Sequence, residues 1–339
     1  MKIWIDVLTP KEVKFFQPMV KKLSKKHVVL CTSRNYKEVT ALAKINNFKI
    51  TVIGCHGGST KEGKLDAAID RMKLLAIKIK KFSPNLLISF CSPDASRVAF
   101  GLGIKHIAFS DMPYAEKQMK LTIPFSDKLL TPNMYTKKSF TKYGIQPRNV
   151  IQYNAIDAAF IKKHKTTKTD FAIDKSKKVI LIRMPEDQAS YMPNTSYMHI
   201  IKAIVKKFES ENVIVLARYK EQITALPKIL GNKVRIIDMR YDGKALLEKC
   251  DVFVGSGGTM TTEASLMGIP CVSMNLFHNA ILDFLVQKKL LKIVSTPSKM
   301  ISTIQQFMLV SRSQYKKRAK TIVSNMEDPY DVLLKTMQM

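Results

Sequence analysis

Short apolar runs alternate with longer amphipathic ones along the chain. Lys2–Val7 reads as a strand, and Phe15–Lys25 as a helix with Phe15, Phe16, Met19, Val20 and Leu23 on one side. The rhythm repeats, with strands expected at Val28–Thr32, Lys49–Ile53, Leu86–Phe90, His106–Phe109 and Lys128–Thr131. Helices are expected at Tyr36–Asn46, Lys64–Phe82 and Asp94–Gly101. The strands are nearly continuous in apolar residues rather than alternating. That pattern predicts parallel sheets covered on both faces by helices.

The segment Phe160–Lys178 is polar, lysine-rich and without period, and reads as a linker or loop. The rhythm then restarts. Strands are expected at Val179–Arg183, Asn212–Ala217, Val234–Ile237, Val252–Val254 and Pro270–Met274. Helices are expected at Ser196–Ser210, Gln222–Ile229, Gly243–Lys249 and Thr261–Met267. Asp328-Pro329 is a start signal for a last helix within Met326–Met339. The expected organisation is α/β, with two Rossmann-like domains at residues 1–160 and 177–325. A C-terminal helix at 326–339 would pack back on the first domain. Ligands of such sheets sit beyond the carboxyl ends of strands, so a cleft between the two domains is the expected site.

At 339 residues and 46% hydrophobic, the chain can bury a full core in each of two domains. The formal net charge of +29, from 56 Lys and Arg against 27 Asp and Glu, draws anions. The candidates are phosphorylated small molecules, anionic lipid head groups and nucleic acid. Most lysines scatter along polar helix faces as a solvated coat. No nucleic-acid motif is present and aromatics do not interleave with the basic clusters, which counts against nucleic acid. The five cysteines have no CxxC spacing, so buried reduced thiols are expected and a zinc site is not. The opening MKIWIDVLTP is a strand and a turn, unlike a secretory leader. No apolar run approaches the roughly 18 residues of a membrane span. A cytoplasmic protein is expected, with peripheral contact to an anionic membrane left open.

One stretch concentrates chemistry: Gly255–Met274, GSGGTMTTEASLMGIPCVSM, between a strand and a helix. A helix N-terminus has unpaired N–H groups and partial positive charge, which suits phosphate. Gly257 and Gly258 would let a diphosphate reach the backbone. Ser256, Thr259, Thr261 and Thr262 add hydroxyls, and Glu263 could accept from the two hydroxyls of a ribose. The same residues fit a tight turn with Glu263 in solvent. Elsewhere, Arg183 ends a strand and could clamp diphosphate, or pair with Glu186 or Asp187. His56, in Cys55-His-Gly-Gly58, is a candidate acid or base, or a loop histidine capping backbone groups. Asp111 ends a strand and could hold a sugar hydroxyl. Asp94 reads as a first-turn acid, and Arg97 as able to reach an anion.

The run Gly255–Ser273 resembles the donor-binding segment of GT-B glycosyltransferases and of the UDP-N-acetylglucosamine 2-epimerase superfamily. Over Ser256–Glu263 it is most similar to the lipid-linked N-acetylglucosamine transferase of peptidoglycan synthesis. The resemblance implies that Ser256, Gly257, Gly258 and Thr259, with Thr262, hold diphosphate and that Glu263 holds ribose. It implies that the loop at Ile237-Asp-Met239 reads the base through its backbone. The whole chain more closely resembles an uncharacterised, mainly archaeal family of GT-B-like proteins. Its marks are Lys2–Asp6 with Thr9-Pro10 and Phe15-Phe16, Gly54–Gly58, Ser92–Ile104, Asp111 and Gly255–Gly268.

That resemblance implies a two-domain GT-B-like fold, a UDP-sugar as substrate, no cofactor and no essential metal. The candidates on the acceptor side are Thr9, Gly57, Gly58, Asp94 and Arg97, with His56, Glu12 and Asp111 as catalytic candidates. The first loop departs from the family's Asn-Pro turn followed by a histidine. Here it is Thr9-Pro-Lys-Glu-Val13, which puts Glu12 near that histidine's place, as a base or as an acid complementing the helix dipole. Glycine-rich turns after the first strand of each domain are also missing. The expected function is sugar transfer from a UDP-sugar to an unknown acceptor. The first alternative is a nucleotide-sugar epimerase; against it, Cys91 and Ser110 fall where its acids would be. The second is a non-enzymatic anion or nucleic-acid binder.

Overall fold

The structure is a computed structural model. It describes residues 1–58, 60–161, 173–185, 197–231, 234–238, 243–274, 276 and 278–338. The chain forms two compact units, one of Met1–Asp157 with Glu327–Met339 and one of Ala158–Met326. The helix Pro329–Met337 therefore belongs to the first unit. Residues 162–172 of the expected linker and Ser196 of an expected helix lie outside the described residues.

The strands of the first unit are β1 (Lys2–Asp6), β2 (Val28–Asn35), β3 (Thr51–Cys55), β4 (Leu86–Ser89), β5 (Lys105–Phe109), β6 (Lys128–Pro132) and β7 (Val150–Tyr153). Among the described residues they form one parallel sheet in the order β3-β2-β1-β4-β5-β6-β7. The second unit has β8 (Val179–Arg183), β9 (Asn212–Leu216), β10 (Arg235–Ile237), β11 (Val252–Gly255), β12 (Cys271–Ser273) and β13 (Leu291–Ile293). These are parallel in the order β10-β9-β8-β11-β12-β13.

Continuous apolar runs produce this burial: every residue of β4 and of β8 is buried. The crossover helix Pro10–Leu23 starts at an N-cap threonine, Thr9, with proline next. It buries Phe15 and Phe16, which pack edge-on against Phe90 and Phe109. His106 lies fully buried between the hydroxyls of Ser89 and Ser126, and burial lowers its pKa to about 3. It is a neutral core histidine.

Strand order reverses between β1 and β4 in the first unit and between β8 and β11 in the second. At such switch points two loops diverge and leave a crevice beyond the carboxyl ends of the strands. Asp6 ends β1 at the first of these places, and Arg183 and Gly255 end β8 and β11 at the second. Several elements escape the periodicity reading. β7 is a four-residue edge strand, and β13 is three residues long, too short for either to establish a period. The helices Ala280–Gln287, Pro297–Leu309 and Arg312–Ser324 fill a region to which the pattern assigned no element.

Candidate functional site

In the second unit, β11 ends in a turn that only glycine can make. A Cβ at Gly255 would lie 2.3 Å from Thr261 Oγ1 and 2.8 Å from Phe253 Cε1. Gly257 has φ +94° and donates its N–H to Thr261 Oγ1 at 3.3 Å. Gly258 is the N-cap of the helix Thr259–Leu266 and, having no side chain, offers that helix end no cap hydrogen bond. Gly258 and Thr259 are exposed and Ser256 is half-buried. Glu263 is 7% exposed, which removes the reading that leaves it in solvent. Two expected hydroxyls serve the turn itself. Thr261 accepts from Gly257, and Thr262 Oγ1 donates to Gly258 O at 3.4 Å.

Arg183 ends β8, beside β11 in register. It is buried, and its Nη1 donates to Ala217 O at 2.7 Å and Leu216 O at 3.3 Å. The carbonyls at the end of β9 therefore brace the guanidinium at the switch point. Its other expected partners, Glu186 and Asp187, lie outside the described residues, as does Met239.

The first unit holds a charged network that the pattern reading did not find. Asp6, at the end of β1, is fully buried. Its Oδ1 accepts from Thr32 Oγ1 at 2.6 Å and Arg71 Nη2 at 2.7 Å, and its Oδ2 from Ser92 Oγ at 2.6 Å. Arg71 reaches Asp6 from the helix Lys61–Phe82. Its Nε donates to Ile53 O at 3.1 Å and its Nη1 to Asp94 Oδ2 at 3.0 Å. Gly54 makes room, since a Cβ there would lie 2.9 Å from Arg71 Cβ. Burial works against the Arg71 charge, but Asp6 and then Asp94 outweigh it and raise its pKa. A signal was present in the sequence. Arg71 falls on the apolar face with Leu75 and Ile79, and Asp6 closes an apolar strand.

Among the expected first-unit residues, Asp94 is thus the partner of Arg71. Thr9 caps the helix, its Oγ1 accepting from Glu12 N at 3.4 Å, and Glu12 Oε2 accepts from Leu8 N at 2.7 Å. Glu12 Oε1 accepts from Thr9 Oγ1 at 2.9 Å. Asp111 pairs with Lys11 at 2.6 Å, and Asp157 holds the same ammonium at 2.9 Å. His56 is exposed and stacks on Tyr36, with ring centroids 4.9 Å apart. Its Nδ1 accepts from Gly58 N at 3.1 Å, which places the imidazole proton on Nε2. Gly57 is a packing residue, since a Cβ there would lie 2.2 Å from Gly63 O. Arg97 is not brought into this group; it is exposed, with its guanidinium 5.9 Å from the centroid of the Phe100 ring. All five cysteines are free, and Cys55 is the exposed one.

Burial, with the charge of Asp6 adding to it, raises the Glu12 pKa from the usual 4.5 to about 7. Between these values folded Glu12 keeps a proton that the unfolded chain has lost, so stability falls as pH rises across that window. Glu12→Gln is neutral throughout. The stability difference between variant and parent should move by about 3 kcal/mol in the variant's favour from about pH 4 to about pH 8. Urea titrations at both pH values measure it.

The model of the family described as a protein of unknown function, DUF354, matches residues 1–338. The chain is a member of the DUF354 family. The uncharacterized protein MJ0665 of Methanocaldococcus jannaschii is 30% identical to this DUF354 chain over 286 residues, 80% of the chain and 81% of the relative. Among solved structures, the UDP-GlcNAc 2-epimerase from Neisseria meningitidis bound to UDP-GlcNAc matches with a TM-score of 0.77. It is 17% identical, with all of both chains covered. The spinosyn rhamnosyltransferase SpnG, complexed with spinosyn aglycone, matches with a TM-score of 0.63 at 13% identity, again over all of both chains. At such identities the likeness concerns the fold, which is the GT-B-like α/β class expected from the sequence. Among the described residues no helix is long and apolar enough to cross a membrane.

Proposed function

We propose that this DUF354 protein binds a nucleotide-sugar in its second unit and transfers the sugar to an acceptor hydroxyl held by its first unit. The observation that carries the reading is the helix end with glycine, Gly258, as its N-cap, followed by buried Glu263, at the β8/β11 switch point. Diphosphate would lie on the N–H groups of Ser256, Gly258 and Thr259, and ribose hydroxyls would donate to Glu263. Uracil as the base follows the epimerase relative bound to UDP-GlcNAc.

In the reaction the acceptor oxygen forms a bond to the anomeric carbon, and the bond from that carbon to diphosphate breaks. The leaving electron pair goes to the diphosphate, stabilised by the helix end and Arg183. The acceptor's proton goes to Glu12, whose pKa of about 7 suits a base near neutral pH. His56, with its proton on Nε2, acts as a neutral donor to the acceptor or sugar.

One observation favours transfer over epimerisation. Four other acids, at or beyond the ends of β1, β4, β5 and β7, are committed to internal cations: Asp6 and Asp94 to Arg71, Asp111 and Asp157 to Lys11. Glu12, bonded to the Leu8 amide and the Thr9 hydroxyl and not to a cation, serves one deprotonation. Inverting a sugar carbon needs a proton removed from one face and returned to the other.

Calorimetry should detect UDP binding, weakened about tenfold to a hundredfold in Glu263→Gln, as expected for a lost hydrogen bond to a charged group. Equal affinities would remove the ribose role. Solvent deuterium entering the sugar of UDP-GlcNAc without an acceptor would replace transfer by epimerisation.

A further inference from the structure

Arg34 stands one residue before the end of β2, in the first unit, and no expected role uses it. It is half-buried, its Nε is sealed from water without a partner, and no hydrogen bond or ion pair reaches its guanidinium among the described residues. Other arginines with a sealed Nε differ. Arg312, for example, still gives Nη1 to Glu248 O and Nη2 to Leu247 O. A guanidinium taken from water without a counter-ion is costly. Burial, then the charge of Arg71, lower the Arg34 pKa; Asp94, Glu12 and Asp6 favour its charge without outweighing them, and Asp94 is bound to Arg71 while Asp6 already accepts three hydrogen bonds.

The surroundings form a wall. Arg34 Cζ lies 6.0 Å from the centroid of the Tyr36 ring, and Tyr36 stacks on His56 with 23° between the rings. Opposite Arg34 the β2/β3 register slips, from Ser33 with Val52 to Asn35 with Cys55. Such irregularities concentrate where a strand end is re-aimed toward a site. Burial, then the charges of Arg34 and Lys64, hold the His56 pKa below its usual value. The positive charges of Arg34 and Lys64 therefore act on the exposed imidazole of this stack.

We propose that Arg34, walled by the Tyr36–His56 stack, is an anion subsite of the first unit, and that the acceptor carries a phosphate or carboxylate beside its reacting hydroxyl. The word acceptor rests on the transfer reading; the anion subsite does not.

The test titrates glycerol 3-phosphate and, separately, glycerate into the parent chain, Arg34→Met and Arg34→Lys. Calorimetry and the His56 imidazole resonance are followed. At least one probe should bind the parent and raise the His56 pKa by neutralising Arg34. Arg34→Met should bind roughly tenfold or more weakly, with His56 unresponsive. Arg34→Lys should fall between, having lost the fork. Without anion, Arg34→Met should melt no lower than the parent, whereas a purely structural arginine would lower the melting point. Phosphate binding alone marks a phosphorylated acceptor, and glycerate binding alone a carboxylate. Binding of neither probe, or equal binding by Arg34→Met, overturns the subsite. UDP affinity, measured in parallel, should be unchanged in every Arg34 variant. A parent chain that binds the anion but not UDP keeps the subsite and loses the transfer reading.

Discussion

Arg71→Met is expected to cost the first unit about 3–5 kcal/mol, because it leaves Asp6 buried and charged without its cation. Domains of this size commonly have about 5–15 kcal/mol in total, so the first unit would be near unfolding at room temperature. The side chain is 1% exposed and satisfies three groups at once: Asp6, Asp94 and the carbonyl of Ile53. Arg71→Lys keeps the charge but offers a point donor in place of a fork, so it should recover only part of the loss. Asp6→Asn combined with Arg71→Met removes both charges and should be more stable than Arg71→Met alone. Two-unit chains need not unfold in one step, so hydrogen exchange of β1 and β4 amides is the suitable readout. Near-parent protection of those amides in Arg71→Met would show that the network is not what holds the β1/β4 switch point.

The same network shows what could be read beforehand and what could not. Apolar period and turn chemistry located most strands to within a residue or two, as with Val179–Arg183, because continuous apolar runs leave few alternatives to a buried parallel strand. The Gly255–Glu263 turn was also legible, since its signals are local. Arg71 and Asp6 are 65 positions apart, and only the fold brings them together. Arg34 was missed for the opposite reason: among the described residues its guanidinium has no hydrogen-bond or ion-pair partner for a sequence pattern to suggest. Asp94, Asp111 and Glu12 were visible as acids at strand ends. Their commitments to Arg71, Lys11 and the Leu8 amide depend on side-chain directions that no period encodes. Local chemistry is thus readable, and long-range charge pairing is not.

Two glycines three residues apart should behave oppositely, and that contrast tests the proposed diphosphate site most directly. Gly255→Ala forces a Cβ into Thr261 and Phe253, so it should lower stability by about 1–3 kcal/mol, as overpacking does. Gly258→Asp should do the reverse. A Cβ at Gly258 meets nothing within 4 Å, and φ is −78°, so any residue fits. Aspartate is among the better N-caps, and its charge complements the helix end, so stability should hold or rise by a few tenths of a kcal/mol. Yet the carboxylate would occupy the N–H groups proposed for diphosphate and repel it. UDP affinity should drop about a hundredfold or more, roughly the loss of two charge-assisted hydrogen bonds. The effect separates site from scaffold, because a variant that folds at least as well as its parent cannot lose a ligand through instability. Calorimetry with UDP, paired with thermal unfolding of each variant, decides it. Parent-like UDP affinity in Gly258→Asp would move the diphosphate off this helix end, and with it the proposed role of Glu263.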